Sequence, residues 1–386
     1  MKGMTFFPAG DILMDGGTSM NVTREKKLAA LLVSHSVRLQ KGESCLIEAI
    51  DLPVTMTEAL IEAVYEAGGN PVVNVWSERI ERAMVEGATE DSLKVWADVD
   101  SYRMKTVDAY IGIRGIANVR ELASIPSQVA LSSKLYNTPV HRDIRVPHTK
   151  WVVARFPTEI MAMQAGKSTR EFEDFFYKVT TEVDYEDMAR RFTEAKPFLD
   201  AVDKVRIIAP GTDLSFSVKG LGWIPCAGEM NIPDGEIYTA PVRTSVNGTI
   251  AYNCDSTYRG HKFSDVRFTF KDGKIVEAHA DDDVLLTKIL DSDEGARYVG
   301  EFALGVNPQV TEPMDNTLFD EKIRGSLHFT PGNAYDDCFN GNRSAVHWDL
   351  VQRQDAAVGG GEIWMDGVLV RKDGVFVHEA LKVLNL

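Results

Sequence analysis

The sequence of 386 residues is poor in cysteine and contains no long apolar run. Its four cysteines, Cys45, Cys226, Cys254 and Cys338, lie far apart and form no Cys-x-x-Cys pair. This arrangement offers neither a thiolate zinc site nor a dense disulfide framework, and it is typical of a reducing compartment. No stretch approaches the roughly 18 apolar residues that a membrane-spanning helix needs. We therefore predict a cytoplasmic protein.

Targeting and nucleotide-binding patterns are also missing. Residues 1–17 carry Asp11 and Asp15 and lack the basic segment and apolar run of a targeting signal. The sequence has no G-x-G-x-x-G or G-x-x-x-x-G-K-[ST] pattern, so no segment predicts a cradle for nucleotide phosphates. The three glycines at 359–361 precede a strand and indicate a turn.

Basic residues are in deficit. The chain has 42 Lys and Arg against 57 Asp and Glu, which gives a formal net charge of −15. Such a charge repels nucleic acid and anionic lipid and attracts cations. We therefore expect neither nucleic acid nor a membrane as a partner. The 44% of apolar and 26% of charged residues are typical of a folded protein, and the length suits two domains.

The first half alternates between helical and strand patterns. Apolar residues at helical spacing, followed by short apolar runs, predict a parallel α/β sheet. We assign it to an N-terminal domain, residues 1–195, that covers the second one. The predicted helices are 26–37 and 55–67, and the predicted strands are 44–49, 71–76, 108–113 and 150–155.

The second half, residues 196–386, has the texture of a mixed α+β domain built on short strands. After a charged helix at 185–195, strands are predicted at 204–209, 248–252, 266–270 and 361–365. The Asp-Gly pairs at 272–273 and 366–367 predict hairpins. The three aspartates at 281–283 indicate a helix N-terminus or a solvated turn rather than a metal site.

Residues 344–351 carry the strongest local signal for chemistry. If this segment is a strand, His347 and Asp349 project from one face while Val346, Trp348 and Leu350 project from the other. An imidazole and a carboxylate together suit zinc, manganese, cobalt or ferrous iron. A hydrogen-bonded His–Asp pair on a polar sheet face is the alternative.

Three further residues strengthen the metal interpretation. His328 alternates with apolar neighbours in the same way as His347. Glu301 is a lone carboxylate in an apolar segment, where its burial is costly unless a cation compensates the charge. Glu236 follows a turn at the start of an apolar strand, a position that suits either a ligand or an ordinary strand-edge glutamate.

Five motifs, in order and at characteristic spacing, resemble the M29 metallo-aminopeptidases, the family of aminopeptidases T and S. The resemblance spans most of the chain. The motifs are NIPDGEIYTAP (231–241), YVGEFALGVNP (298–308), TLFDEK (317–322), SLHFTPGNAY (326–335) and NRSAVHWDL (342–350).

This resemblance implies a site that binds two divalent metal ions, such as zinc, cobalt or manganese. Its ligands are Glu236, Glu301, His328, His347 and Asp349, with Tyr335 as the catalytic tyrosine. From the residues alone, a packed aromatic after the turn residues Gly332 and Asn333 is the favoured interpretation of Tyr335, and only the resemblance favours the catalytic role. Glu321 precedes His328 by seven residues, further than in aminopeptidase T-like members. It is a ligand, the general base or a structural residue.

The implied reaction is removal of the N-terminal residue from short peptides by water that two metal ions activate. The resemblance also implies a homodimer with an interior cavity. One alternative is a ferrous ring-cleaving dioxygenase of the same fold, which keeps the His-x-Asp segment but carries histidine where this chain has Glu301. Another is a non-catalytic binding protein that a structural ion stabilises. Separately, His141 and His148 flank Arg142, Asp143 and Arg145 in a loop-like stretch, where we expect the two histidines to line the cleft between the domains.

Overall fold

The computed structural model describes residues 23–258 and 260–386. The expectation about a targeting signal in residues 1–17 lies outside this range. Within the described ranges, no helix has the length and apolar character that crossing a membrane requires.

A parallel sheet of five strands, in the order β2-β1-β3-β4-β8, forms the first layer. Four strands match those predicted in the first half, which confirms the parallel α/β architecture. They are β1 Ser44–Ile50, β2 Asn70–Trp76, β3 Ala109–Gly115 and β4 Lys150–Phe156, with β8 Asn231–Ile232 as the fifth.

In the part of this half that the structure describes, nine α-helices connect the strands and cover the sheet. Two π-helical segments, Leu32–Ser36 and Ser133–Arg145, continue from α1 and α5. The helices are α1 Arg24–Leu31, α2 Val54–Glu66, α3 Glu78–Glu86, α4 Glu90–Lys105, α5 Pro126–Ser132, α6 Val146–His148, α7 Glu159–Gln164, α8 Thr169–Thr181 and α9 Tyr185–Asp200.

The two halves share structure. Helix α9 continues through residue 195, and β8, which follows it by thirty residues in the chain, pairs with β4 in the first sheet. A single cluster of buried side chains also includes residues from both halves, such as Phe176 and Phe302. A domain boundary near residue 195 stays a prediction. Strand β8 lies after this boundary in the sequence but belongs to the sheet of the first half.

The second half consists mainly of antiparallel strands, which confirms the predicted mixed domain. An eight-stranded sheet has the order β14-β13-β10-β6-β5-β18-β19-β20, and a five-stranded sheet has the order β17-β16-β15-β9-β7. Strands β11 and β12 form a small hairpin-like pair, and two helices, α10 Asp283–Leu290 and α11 Thr317–Asp320, complete this half. The strands are β5 Lys204–Ala209, β6 Thr212–Ser217, β7 Ile224–Cys226, β9 Glu236–Thr239, β10 Asn247–Ala251, β11 Ser256–Tyr258, β12 His261–Phe263, β13 Arg267–Lys271, β14 Lys274–His279, β15 Val299–Gly305, β16 Ser326–Pro331, β17 Val351–Arg353, β18 Glu362–Met365, β19 Val368–Lys372 and β20 Val375–Phe376.

Local turn and cap chemistry follows the sequence. The pairs β13–β14 and β18–β19 are antiparallel hairpins around the two Asp-Gly turns, as predicted. Asp282 caps α10, because its side chain accepts a hydrogen bond from the Leu285 amide. The acidic run at 281–283 is therefore the start of a helix.

The predicted strand over 344–351 is wrong as a regular strand. Only His347 forms an isolated bridge, with Gly332, and β17 begins at Val351. The segment nevertheless runs extended beside β16, where the Phe329 amide donates to the Leu350 carbonyl at 3.1 Å and the Trp348 amide donates to the Pro331 carbonyl at 3.2 Å. The backbone hydrogen bonds to β16 are too irregular to define a strand, but successive side chains still point to opposite sides of the segment.

Candidate metal centre

The five-stranded sheet of the second half has one apolar and one polar face. Register pairs Phe302 with Phe329 on adjacent strands, and their rings pack with Phe216 at centroid distances of 5.0 and 5.1 Å. Since side chains alternate between faces along a strand, the neighbouring residues point to the opposite side. That side carries Glu236, Glu301, His328 and Thr330. The amphipathic strands therefore gather these four side chains on one surface.

Glu301, on the central strand β15, lies between the two histidines. Its Oε1 is 3.2 Å from His328 Nε2, and its Oε2 is 3.2 Å from His347 Nε2. Burial raises the pKa of Glu301, but the hydrogen-bonding contacts with His328 and His347 outweigh this effect and hold the pKa below its usual value. Each carboxylate oxygen thus faces a different imidazole, which is the arrangement of a bridging ligand.

His347 and Asp349 share a face, as the alternation predicts. His347 Nε2 lies 3.3 Å from Asp349 Oδ1, and the Thr330 hydroxyl donates to the same carboxylate oxygen at 2.8 Å. His347 Nδ1 is 2.9 Å from the Asn333 carbonyl, to which it donates. This bond selects the tautomer that leaves Nε2 with its lone pair directed toward the cluster.

His328 is fully buried on β16. Its Nε2 lies 3.4 Å from Glu236 Oε2, in addition to its contact with Glu301. Burial lowers the pKa of His328, but the neighbouring Glu236 and Glu301 carboxylates raise it to about 9. A cation that displaces the proton would be held by the same two carboxylates.

The buried Lys322 contacts the carboxylates on the closed side of the cluster. Its Nζ lies 2.6 Å from Glu236 Oε1 and 2.8 Å from Glu321 Oε1, and 3.5 Å from Asp234 Oδ1. Burial lowers the pKa of Lys322, but these three carboxylates raise it well above its ordinary value. Lys322 is therefore a permanent cation that neutralises part of the acidic cluster.

Glu321 follows α11 and lies beside the cluster rather than between the imidazoles. Burial is the main reason that its pKa is raised to about 7; Lys322 opposes this effect and Glu236 adds to it. A carboxyl group that titrates near neutral pH is suited to accept and return a proton.

Tyr335 lies at the open side of the cluster. Its ring centroid is 4.7 Å from that of His347, and 44% of the residue is exposed. The side chains of His347 and Asp349 are 22% and 16% exposed, whereas His328 is 1% exposed. Among the described residues of the cluster, the solvent-exposed side is therefore the one that His347, Asp349 and Tyr335 form.

The donor atoms fit a pair of divalent cations. Two sets of ligand atoms lie within 4.8 Å of one another: Glu236, Glu301 and His328 form one, and Glu301, His347 and Asp349 form the other. Glu301 belongs to both. Among the described residues, the buried atoms Glu236 Oε2 and His347 Nε2 have close polar neighbours but no hydrogen bond of good geometry. Unsatisfied buried acceptors of this kind are costly unless an ion binds them.

A third set, Cys226, Asp234 and Glu236, also lies within 4.8 Å. Asp234 already accepts hydrogen bonds from the Gly228 and Gly235 amides at 2.7 and 2.8 Å. Burial raises the pKa of Cys226 well above its ordinary value, so the thiol stays protonated at neutral pH. This set supports the backbone around Glu236.

The structure brings all seven residues singled out from the sequence to one place. Sequence reasoning missed Lys322, Thr330 and Asn333, which hold the others in position. Lys322 directly follows Glu321 in the TLFDEK motif, but its burial depends on Asp234 and Glu236 of a distant segment, which its local sequence does not indicate. Thr330, two residues after His328 on the same strand face, was detectable by the same alternation.

Comparisons with known proteins agree with this chemistry. Residues 22–376 match the model of the family described as thermophilic metalloprotease (M29). Aminopeptidase PepS of Streptococcus thermophilus is 26% identical over 406 aligned positions, which cover 89% of this chain and 94% of that protein.

Two solved structures share the fold. Wild-type AmpT from Thermus thermophilus superposes with a TM-score of 0.78 at 22% identity, over 92% of this chain and 99% of that one. A 2,5-dihydroxypyridine dioxygenase from Pseudomonas putida KT2440 superposes with a TM-score of 0.60 at 13% identity, over 93% and 99%. At these sequence identities, both structural similarities show a shared fold and do not identify the reaction.

Proposed function

Because this chain belongs to the M29 family of metalloproteases, which are hydrolases, we propose that it removes the N-terminal residue from short peptides with the help of two divalent metal ions. The observation that carries the proposal is the position of Glu301, whose two oxygens each lie 3.2 Å from a different imidazole. One carboxylate shared by two ligand sets is what a two-metal site requires.

Glu236, Glu301 and His328 would hold one ion, and Glu301, His347 and Asp349 would hold the other. Borderline nitrogen and hard oxygen donors in this ratio suit zinc, cobalt or manganese. When bound, such a pair of ions makes water acidic enough to ionise near neutral pH and polarises the carbonyl under attack.

Two residues of the chain are placed to assist. Glu321, with a pKa near 7, would take a proton from the attacking water and return it to the leaving amine. Tyr335, exposed beside His347, would donate a hydrogen bond from its hydroxyl to the oxyanion that develops on the carbonyl. The carboxylates that Lys322 does not neutralise would attract the free α-ammonium group of a peptide.

The ligand set favours this reaction over the dioxygenase alternative. A mononuclear ferrous site uses two histidines and one carboxylate. Here Glu301 stands between the two histidines, and Glu236 adds a further buried carboxylate. The non-catalytic alternative requires a closed site, whereas His347, Asp349 and Tyr335 are partly exposed.

The test is a screen of dipeptides with free and with N-acetylated amino groups, using protein depleted of metal and reloaded with zinc, cobalt or manganese. We expect hydrolysis only of peptides with a free amino group and only after metal is restored. One iron per chain with oxygen uptake on a hydroxylated ring, or no hydrolysis of any short peptide by the reloaded protein, would overturn the proposal.

We also propose a homodimer located in the cytoplasm. Support for self-association comes from α4, where Val95, Val99 and Tyr102 lie at helical spacing and are 63%, 56% and 74% exposed. An apolar face of this kind is typical of a protein interface. Light scattering after size-exclusion chromatography tests the dimer, and a mass of one chain at micromolar concentration would contradict it.

A further inference from the structure

A cavity that none of the five predicted metal ligands lines lies where the parallel sheet meets α11. It has a volume of about 420 Å³, which is in the range of small-molecule sites. The side chains that matter for its chemistry are Arg114, Arg145, Arg155, His141 and Asn231, and Leu318 of α11 closes it. Three arginines around one cavity are unexpected in a chain with a net charge of −15.

Two of the arginines are direct neighbours. Arg114 and Arg155 are register partners on the adjacent parallel strands β3 and β4, so their side chains leave the same face of the sheet side by side. Both stand one residue before the carboxyl end of their strand. In parallel α/β sheets this edge is the usual place for ligands.

Arg145 completes the cationic wall from the π-helical segment. Its guanidinium carbon lies 5.0 Å from the ring centroid of Tyr110 and 4.5 Å from that of Trp151, so two aromatic rings fix the group in place. Its Nε and the nearby His141 Nδ1 are buried and have no hydrogen-bond partner among the described residues. The Arg145 Nε–H group is therefore available to donate to a ligand, and the neutral His141 ring has a free nitrogen beside it.

The surrounding carboxylates compensate the arginines only in part. Glu48 accepts a hydrogen bond from the Tyr110 hydroxyl, and Glu78 and Glu81 lie on α3. Glu78 attracts Arg114 and Arg155 and Glu81 attracts Arg114 electrostatically, but within the described ranges none of these carboxylates forms a direct ion pair with the arginines.

The electrostatics of the arginines agree with this geometry. Burial, followed by the presence of Arg114, lowers the pKa of Arg155. Like charges directly opposite each other on neighbouring strands destabilise a sheet, and partial desolvation of a guanidinium group without a direct ion-pair partner is costly. An anion between the guanidinium groups would remove both penalties.

We propose that this cavity is a binding site for a small organic or inorganic anion that carries a carboxylate or a phosphate group. Arg114 and Arg155 bind the anion from the sheet, and Arg145 binds it from the opposite wall. The side-chain amides of Asn137 and Asn231 contact the other polar groups of the ligand. Planar guanidinium groups suit both carboxylate and phosphate oxygens. Leu318 stands three residues before Glu321, so the anion lies against the helix that leads to the proposed general base.

Isothermal titration calorimetry on the full-length, metal-loaded protein tests this site, with inorganic phosphate and succinate as the probes. Ionic strength is held constant with chloride, because salt screens such contacts. We expect saturable binding of at least one probe. Arg114→Gln and Arg155→Gln should each weaken it about tenfold or more, the loss expected for one charge-assisted hydrogen bond.

Arg170→Gln is the matched control. Arg170 is exposed on α8, away from the cavity lining, and its substitution removes the same charge. This variant should bind like the wild type. Arg114 is itself exposed at its edge of the sheet, so Arg114→Gln keeps the test valid even if Arg155→Gln fails to fold.

The two probes separate the sources of the anion, since preference for phosphate indicates a phosphorylated ligand and preference for succinate a carboxylate. Absence of saturable binding would overturn the proposal. Binding that Arg114→Gln and Arg155→Gln leave unchanged would do the same, because the anion would then be held elsewhere, for example by the metal ions. Neither outcome depends on whether the protein hydrolyses peptides.

Discussion

Lys322 Nζ lies 2.6 Å from Glu236 Oε1, at the closed end of the carboxylate cluster and out of contact with solvent. The lysine engages one oxygen of Glu236 and leaves the other, Oε2, beside His328. A fixed internal cation thus orients a predicted metal ligand and prevents the carboxylates from repelling one another when no metal is bound.

Replacing this lysine should therefore destabilise the metal-free protein. Lys322→Met leaves Glu236 and Glu321 buried without their cation, and breaking a buried ion pair costs about 3–5 kcal/mol. Urea unfolding of metal-free protein measures the loss. The exposed Lys134 provides a control, since Lys134→Met should change stability by about 0.5 kcal/mol or less. Equal effects of the two substitutions would show that Lys322 is not essential to the cluster.

Glu321→Gln separates the three roles that the sequence leaves open for this residue. As the general base, its loss should lower kcat by about 10²–10⁴ while two metal ions remain bound. Steady-state kinetics and metal analysis on the same preparation make the measurement. Loss of an ion would instead identify Glu321 as a ligand, and an unchanged kcat would make it structural.

Tyr335→Phe keeps the ring beside His347 and removes only the hydroxyl. If the hydroxyl donates to the oxyanion, kcat should fall by about 10²–10³ with little change in KM. Tyr65→Phe, at an exposed position of α2, should leave both constants unchanged. A rise in KM alone would mean that Tyr335 binds substrate without assisting the reaction.

His141 makes stability depend on pH. Burial, with Arg145 and Arg114 nearby, lowers its pKa from 6.5 to about 4. Between these values the unfolded chain binds more protons than the folded one. The contribution of His141 to stability is therefore complete above pH 6.5 and is lost as the pH falls toward 4.

Urea unfolding in chloride buffers at pH 7 and pH 4.5 tests this dependence. The wild type should lose more free energy of unfolding over this interval than His141→Gln does. His261→Gln, which changes an exposed histidine, should behave like the wild type. If His141→Gln and the wild type lose the same amount, the imidazole has the same pKa in the folded and unfolded states, which would contradict the expected effect of burial.

Side-chain alternation is the reason that much of the site was predictable. It placed His347 and Asp349 on one face and Trp348 in the core, even though the segment is not a regular strand. Apolar and polar residues alternate along this segment, and the apolar ones become buried even where the hydrogen bonds of a regular strand are missing.

The residues that sequence reasoning missed depend on distant contacts. Lys322 is buried because Asp234, Glu236 and Glu321 converge on it from separate segments, and nothing local to it indicates this. Strand β8 is only two residues long, so neither period nor length reveals its pairing with β4. Arg114 and Arg155 likewise lie side by side because of the register between β3 and β4, which the sequence of neither strand shows by itself.

The most direct test of the two-metal centre is anomalous scattering from crystals of the zinc-loaded protein, repeated with Glu301→Gln. We expect two anomalous peaks per chain, one on each side of the Glu301 carboxylate, and loss of at least one peak in the variant with the fold retained. A single peak in the wild type, or two peaks that persist unchanged in Glu301→Gln, would contradict this expectation.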